Sequence, residues 1–258
     1  MSSGTDPVGL IFILGFPRTG TTLLAQVLAT APEVLVYEER PLLARAVADF
    51  VDAPGGAERL AAAHEDTLAP YVADFWRLAR AEADPRGRVV IEQTAFNTVY
   101  LPVIVRLFPR AKIVFAVRDP RDVVFSCFRR QFAPSRFTLE FRTLESAARF
   151  YDATMRLADL CRPGLGGRIF DIRNEDLIED FDTWSHRLCA FTGVPWREEM
   201  HRFELAARNR TLTTRSSHQI RRGLMKDSIG VWRRYGAQLA PVLPILAPWV
   251  ERFGYSPD

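Results

Sequence analysis

Lysine is almost missing from this chain: Lys112 and Lys226 are the only two, within a Lys+Arg total of 34. Most cationic contacts must therefore come from guanidinium groups, which meet phosphate and carboxylate with a planar, two-pronged fork. GC-rich coding sequence explains the bias as well, so the bias alone assigns nothing. Cysteine is also scarce. Cys127, Cys161 and Cys189 are odd in number, widely spaced and form no C-x-x-C pair, which excludes a disulfide framework and a zinc site as expectations. A reduced, cytoplasmic compartment fits that usage. The four histidines (His64, His186, His201, His218) are scattered, and no carboxylate cluster accompanies them, so no metal is expected. No apolar run is long enough to span a bilayer, and no membrane partner is expected. The run from Val8 to Phe16 lacks a preceding basic segment and ends in a glycine turn, so it reads as a buried strand rather than a signal core. The formal net charge of +3 is too small to call for nucleic acid. No repeat, low-complexity tract or linker interrupts the chain.

What remains suits one α/β domain over residues 1–258, with 48% hydrophobic and 25% charged residues. Strands are expected at 8–14, 34–37, 88–91, 112–117 and 168–172. Helices are expected from Thr21 to before Pro32, over 42–50, 57–83, 97–108, 120–130, 139–161 and 182–192, and two more after Ser228, broken around Pro241 and Pro244. Residues 198–228 are basic and weakly periodic, which predicts a surface loop with short helical pieces. Alternating strands and helices predict a mostly parallel sheet covered on both faces, a three-layer α/β/α domain with a helical C-terminal extension. Ligands on such sheets bind at the carboxyl ends of the strands.

Gly15-Phe16-Pro17-Arg18-Thr19-Gly20-Thr21-Thr22 joins the first strand to the first helix at such an end. Backbone N–H groups in a loop of this kind form an anion nest, and the helix start adds its positive dipole end. Arg18 brings a charge; Thr19, Thr21 and Thr22 bring hydroxyls beside Gly20. The pattern is that of a P-loop without its lysine, since Thr21 stands in the lysine position. That argues against an ATP or GTP enzyme, in which the lysine reaches the outer phosphates.

Residues 16–24 resemble the 5′-phosphosulfate loop of sulfotransferases that use 3′-phosphoadenosine 5′-phosphosulfate (PAPS), in particular the tyrosylprotein sulfotransferase-like enzymes and their bacterial relatives. Arg118-Asp119-Pro120-Arg121-Asp122, with Ser126 eight residues after Arg118, resembles the same family's 3′-phosphate motif. Read as residues alone, Arg118 at a strand end and Ser126 two turns into the following helix can reach one phosphate, and Arg130 lies one turn further on. Thr214-Arg215-Ser216-Ser217-His218-Gln219-Ile220-Arg221-Arg222, with Trp232 thirteen residues after Gln219, matches a further family stretch. The likeness runs from about residue 10 to about 250, with a divergent region at roughly 50–85.

The resemblance implies a P-loop-type fold and PAPS as co-substrate, with adenosine 3′,5′-bisphosphate as product and no metal. It implies donor contacts from Arg18, Thr19, Gly20, Thr21, Thr22, Arg118, Ser126 and Arg130, and from a flap at 198–228 carrying Ser216, Arg221 and Arg222. It makes Glu39 the general base, with Glu38 the alternative beside it, Arg18 the cation on the leaving group, and Arg45 the residue that orients the acceptor. The acceptor is expected to be a small-molecule hydroxyl, of a natural product or sugar, with a peptide tyrosine the alternative that a cytoplasmic setting favours less, held by residues 40–85 and 131–150. Three positions depart from the family pattern: Gln93 replaces a lysine, Asn174 a tyrosine, and Val231 a basic residue. Each loses a donor or leaving-group contact, which keeps open a catalytically impaired nucleotide-binding relative. A P-loop kinase with an atypical loop is the other alternative. Oligomeric state is not legible.

Overall fold

The structure, a computed structural model, describes residues 7–208 and 223–258. Ser216, Arg221 and Arg222, expected on a donor-site flap, lie outside the described residues. The central element is a five-stranded sheet in the order β2-β3-β1-β4-β5, every neighbouring pair parallel. The strands are β1 (Gly9–Gly15), β2 (Val34–Glu38), β3 (Val89–Gln93), β4 (Lys112–Val117) and β5 (Ile169–Arg173). β1 and β4 are short runs of Ile, Leu, Val and Phe, as strands buried on both faces must be; the edge strands β2 and β5 are only partly buried.

Alternation along β1 divides the core into two layers. Phe12, Leu14 and Phe16 face one side, against α4 (Glu65–Glu82), α5 (Leu101–Leu107), α6 (Pro120–Arg129) and α7 (Leu144–Cys161). Ile11 and Ile13 face the other, against α1 (Thr21–Leu28), α8 (Asn174–Glu179), α9 (Phe181–Thr192) and α10 (Phe203–Arg208). The helix after β1 thus covers one face and the helix after β4 the other. β1 and β4 are neighbours, so their chain exits diverge and open a crevice between their carboxyl ends, the switch point at which such sheets hold ligands.

Several element boundaries differ from the sequence reading. The helical stretch after β2 breaks into α2 (Ala44–Val47), a π-helical turn (Ala48–Asp52), α3 (Gly56–Ala62) and α4, with the second break at Ala63-His64. Residues 95–100 and 138–142 wind as 3-10 turns ahead of α5 and α7. A short helix, α8, stands directly after β5, where no helix was expected. Pro244 does not break the tail: it occupies the first turn of α12 (Leu243–Arg252), where its missing N–H costs no bond, and the break falls at Pro241 after α11 (Gly236–Leu239). Among the described residues no helix is long and apolar enough to cross a membrane.

Candidate active site

The loop after β1 holds its own shape. Gly15 has φ 152°, and a Cβ there would lie 2.6 Å from both the Ala116 carbonyl oxygen and Thr19 Oγ1, so only glycine fits between loop and sheet. The Gly15 N–H donates to Thr98 Oγ1 at 2.9 Å, and the Thr98 hydroxyl returns a bond to the Gly15 carbonyl. Thr19 is buried, with its hydroxyl donating to the Phe16 carbonyl at 2.7 Å; it closes the turn. Phe16 wedges the loop into the core against Tyr151, Phe150 and Phe141. Gly20 caps α1 at φ 102°, and a Cβ there would strike Asn174 Oδ1 at 2.5 Å. As a glycine, the N-cap residue brings no side chain of its own to cap α1, so the helix's positive dipole end faces the crevice.

The two phosphate motifs meet through Arg18. Its Nε donates to Ser126 Oγ on α6 at 3.2 Å. Its main-chain oxygen accepts from Arg118 Nη1 at 3.1 Å. Arg118 also donates through Nη2 to the Ser228 carbonyl at 2.5 Å, and stands 4.0 Å from Asp122. Burial first, then the neighbouring Arg130 and Arg118 charges, lower the Arg18 guanidinium to about 10. It stays charged at neutral pH, but three like charges have been drawn together, an arrangement that an anion stabilises. Arg130 itself is exposed and terminates α6 in extended backbone, not one further helical turn. The result is an open cleft lined by Arg18, Thr21, Thr22, Arg118, Asn174 and Ser228 among others. It is cationic and rich in donors, a shape that fits phosphate esters.

On the far side of β1, β3 and β2 complete the edge. Gln93 is buried and its Nε2 donates to Thr21 Oγ1 at 3.1 Å. Its main-chain oxygen accepts from the Glu39 N–H at 2.9 Å. Glu39 is exposed, while Glu38 is half-buried and accepts from Gln26 of α1. Arg18 (φ 76°) and Glu39 (φ 51°) are the only non-glycine residues with positive φ among the described residues. Left-handed backbone is costly for L-residues and persists where the surroundings enforce it, often at sites of chemistry. Arg45, on α2, is exposed and lies over the Tyr71 ring at 4.9 Å.

The second motif is braced by partners that sequence reading did not find. The Asp122 carboxylate accepts from the N–H groups of Gly230 and Trp232 at 2.7 and 2.9 Å. The Asp119 carboxylate pairs with Arg121, not with Arg118, and caps α6 by accepting from the Arg121 N–H at 3.0 Å. The Arg121 guanidinium lies 3.9 Å over Trp232 and donates to the carbonyls of Ser256 and Pro257. Glu175 accepts from the Asp119 N–H at 3.1 Å and from Tyr255 Oη at 2.7 Å. Apart from the local Asp119–Arg121 pair, these partners are more than 50 positions apart, and no local pattern announces them.

A profile of the sulfotransferase family matches residues 10–198. The chain belongs to that family. Its similarity to protein-tyrosine sulfotransferase 1 of Danio rerio is 24% identity over 268 residues, covering 96% of this chain and 72% of that protein. An uncharacterised protein of Aquifex aeolicus is 26% identical over 244 residues, covering 92% of this chain; the chain spans only 32% of that protein's length. Among solved structures, the sulfotransferase domain from the Synechococcus PCC 7002 olefin synthase superposes with a TM-score of 0.65, covering 98% of this chain and 96% of that domain at 22% identity. That last likeness speaks for the sulfotransferase fold alone.

Proposed function

We propose that this sulfotransferase-family chain moves a sulfuryl group from PAPS to a hydroxyl of a small-molecule acceptor, with Glu39 as general base and Arg18 as the cation on the leaving side. The acceptor oxygen attacks sulfur, and its proton passes to the Glu39 carboxylate. The bond from sulfur to the 5′-phosphate oxygen breaks, and the departing phosphate takes the electron pair. Arg18, the N-terminus of α1 and the hydroxyls of Thr21 and Thr22 steady that charge. Arg118, Ser126 and Arg130 serve the 3′-phosphate, with Ser216, Arg221 and Arg222 assigned to the same end. Arg45 orients the acceptor.

One observation carries this reading: the two residues proposed for the chemistry are the two non-glycine residues, among the described residues, that the fold holds in left-handed backbone. Arg18 leans from one strand end toward α6, and Glu39 follows the strand two places away on the other side of β1. Glu38, one residue earlier, is half-buried against Gln26 in the α1 layer, whereas Glu39 is exposed at the sheet edge where an acceptor can reach it, which favours Glu39 as the base.

The test uses purified protein. Adenosine 3′,5′-bisphosphate should raise its melting temperature, and Arg18→Ala or Arg118→Ala should remove the shift. With PAPS and a panel of hydroxyl acceptors, a product heavier by one SO₃ is expected; Glu39→Gln should keep the shift and lose the product. Stabilisation by ATP–Mg²⁺ but not by the bisphosphate would replace this reading with a kinase. Binding without transfer to any acceptor would point to an impaired relative.

A further inference from the structure

Gln93 ends β3, in register with Ile13 of β1 and Glu38 of β2. Its side chain is 1% exposed. Nε2 donates to Thr21 Oγ1 at 3.1 Å, while Oε1 is buried with no hydrogen-bond partner among the described residues. An orphaned buried amide oxygen is costly, and its retention calls for a reason.

The reason lies in what the contact does to Thr21. A threonine hydroxyl has one proton and two acceptor lone pairs. When one lone pair takes the Gln93 N–H, the rotor is pinned and the proton must be donated elsewhere. Thr21 opens α1 and lines the cationic cleft, so that proton is available to an anion there. We propose that Gln93 is a positioning residue that holds the Thr21 hydroxyl as a hydrogen-bond donor toward the 5′-phosphate of the bound nucleotide. The proposal rests on the nucleotide-donor reading above.

The chemistry of the neighbourhood favours a neutral donor at this place. Arg18 already feels Arg130 and Arg118, and a further cation would add repulsion, whereas a carboxamide supplies an N–H without charge. The same residue reaches the other half of the site, because its main-chain oxygen holds the Glu39 N–H. Gln93 thus ties the residue proposed as base to the loop that receives the phosphate.

Affinities for adenosine 3′,5′-bisphosphate and adenosine 3′-monophosphate, measured by calorimetry, test this. Thr21→Val and Gln93→Met should each weaken the bisphosphate by about fivefold to tenfold. The double variant should be no weaker than Thr21→Val alone, because both act through one hydroxyl. Affinity for the 3′-monophosphate, which lacks the group in question, should change less than about twofold in the same variants. Gln93→Glu, which once ionised can only accept, should take the Thr21 proton and weaken the bisphosphate more than Gln93→Met when both are measured at a pH high enough to ionise it. Thr21→Ser should restore binding. Additive losses, equal losses for both nucleotides, or wild-type affinity in Gln93→Met would each overturn the proposal. A wild-type protein that binds the two nucleotides equally would instead overturn the donor reading, before any variant is made.

Discussion

Arg118 donates to the main-chain oxygen of Arg18 at 3.1 Å, across 100 residues of chain. One guanidinium therefore shapes the first loop and lines the place proposed for the 3′-phosphate. Lysine in its place would keep the charge but lose the fork that spans the carbonyls of Arg18 and Ser228. Arg118→Lys should accordingly resemble Arg118→Ala, with bisphosphate affinity down by about tenfold or more, read by calorimetry. A lysine variant that binds like the parent would show that charge alone suffices.

The left-handed backbone of Glu39 sets stability against activity. Glycine relieves an αL cost of about 1 kcal/mol, which for a chain of this size moves Tm by about 2–4 °C. Glu39→Gly should melt at or slightly above the parent temperature, retain the bisphosphate shift and lose sulfuryl transfer. Scanning fluorimetry and the transfer assay check both halves; a lower Tm or surviving transfer contradicts the assignment.

Glu92 is fully buried on β3, where its Oε1 accepts from Thr94 and Asn97. Burial outweighs those bonds and pushes the carboxyl up to about 8. The unfolded chain loses this proton near the ordinary value of 4.5, the folded chain only near 8. Between those values the folded state binds more protons, so the contribution is full below the lower one and is lost as pH rises through the upper. Stability should therefore fall across this window by a few kcal/mol, at up to about 1.4 kcal/mol per pH unit. Urea unfolding of Glu92→Gln should show a flatter profile over the same range; an unchanged slope would place the titration elsewhere.

Tyr255 donates to Glu175, which in turn accepts from the Asp119 N–H at the head of the second motif. Burial raises the Glu175 carboxyl above its ordinary value. Tyr255→Phe removes a bond to a buried acid and should cost about 1–3 kcal/mol. A fall of several degrees in Tm is expected, together with a few-fold loss of bisphosphate affinity as Asp119 and Arg121 loosen. A Tm drop with undiminished affinity would confine this strap to stability.

The five strands were legible because buried strands are continuous apolar runs, and the loop at 15–22 because glycine, arginine and threonine at that spacing have few other uses. The break at Ala63-His64, the 3-10 turns and α8 were not legible: each is decided by packing against neighbours that a local pattern does not contain. Residue types also carried the likeness to sulfotransferases, through Arg18, Arg118 and Ser126. Spacing along the chain, however, could not show that Ser126 meets Arg18 or that Arg118 bridges to Ser228. Gln93 shows the division most plainly. By sequence alone it is a missing lysine, because a letter records only the charge that is absent. The tertiary structure decides that its amide meets Thr21, since β3 lies beside β1 in the sheet and brings residues 72 positions apart within a hydrogen bond.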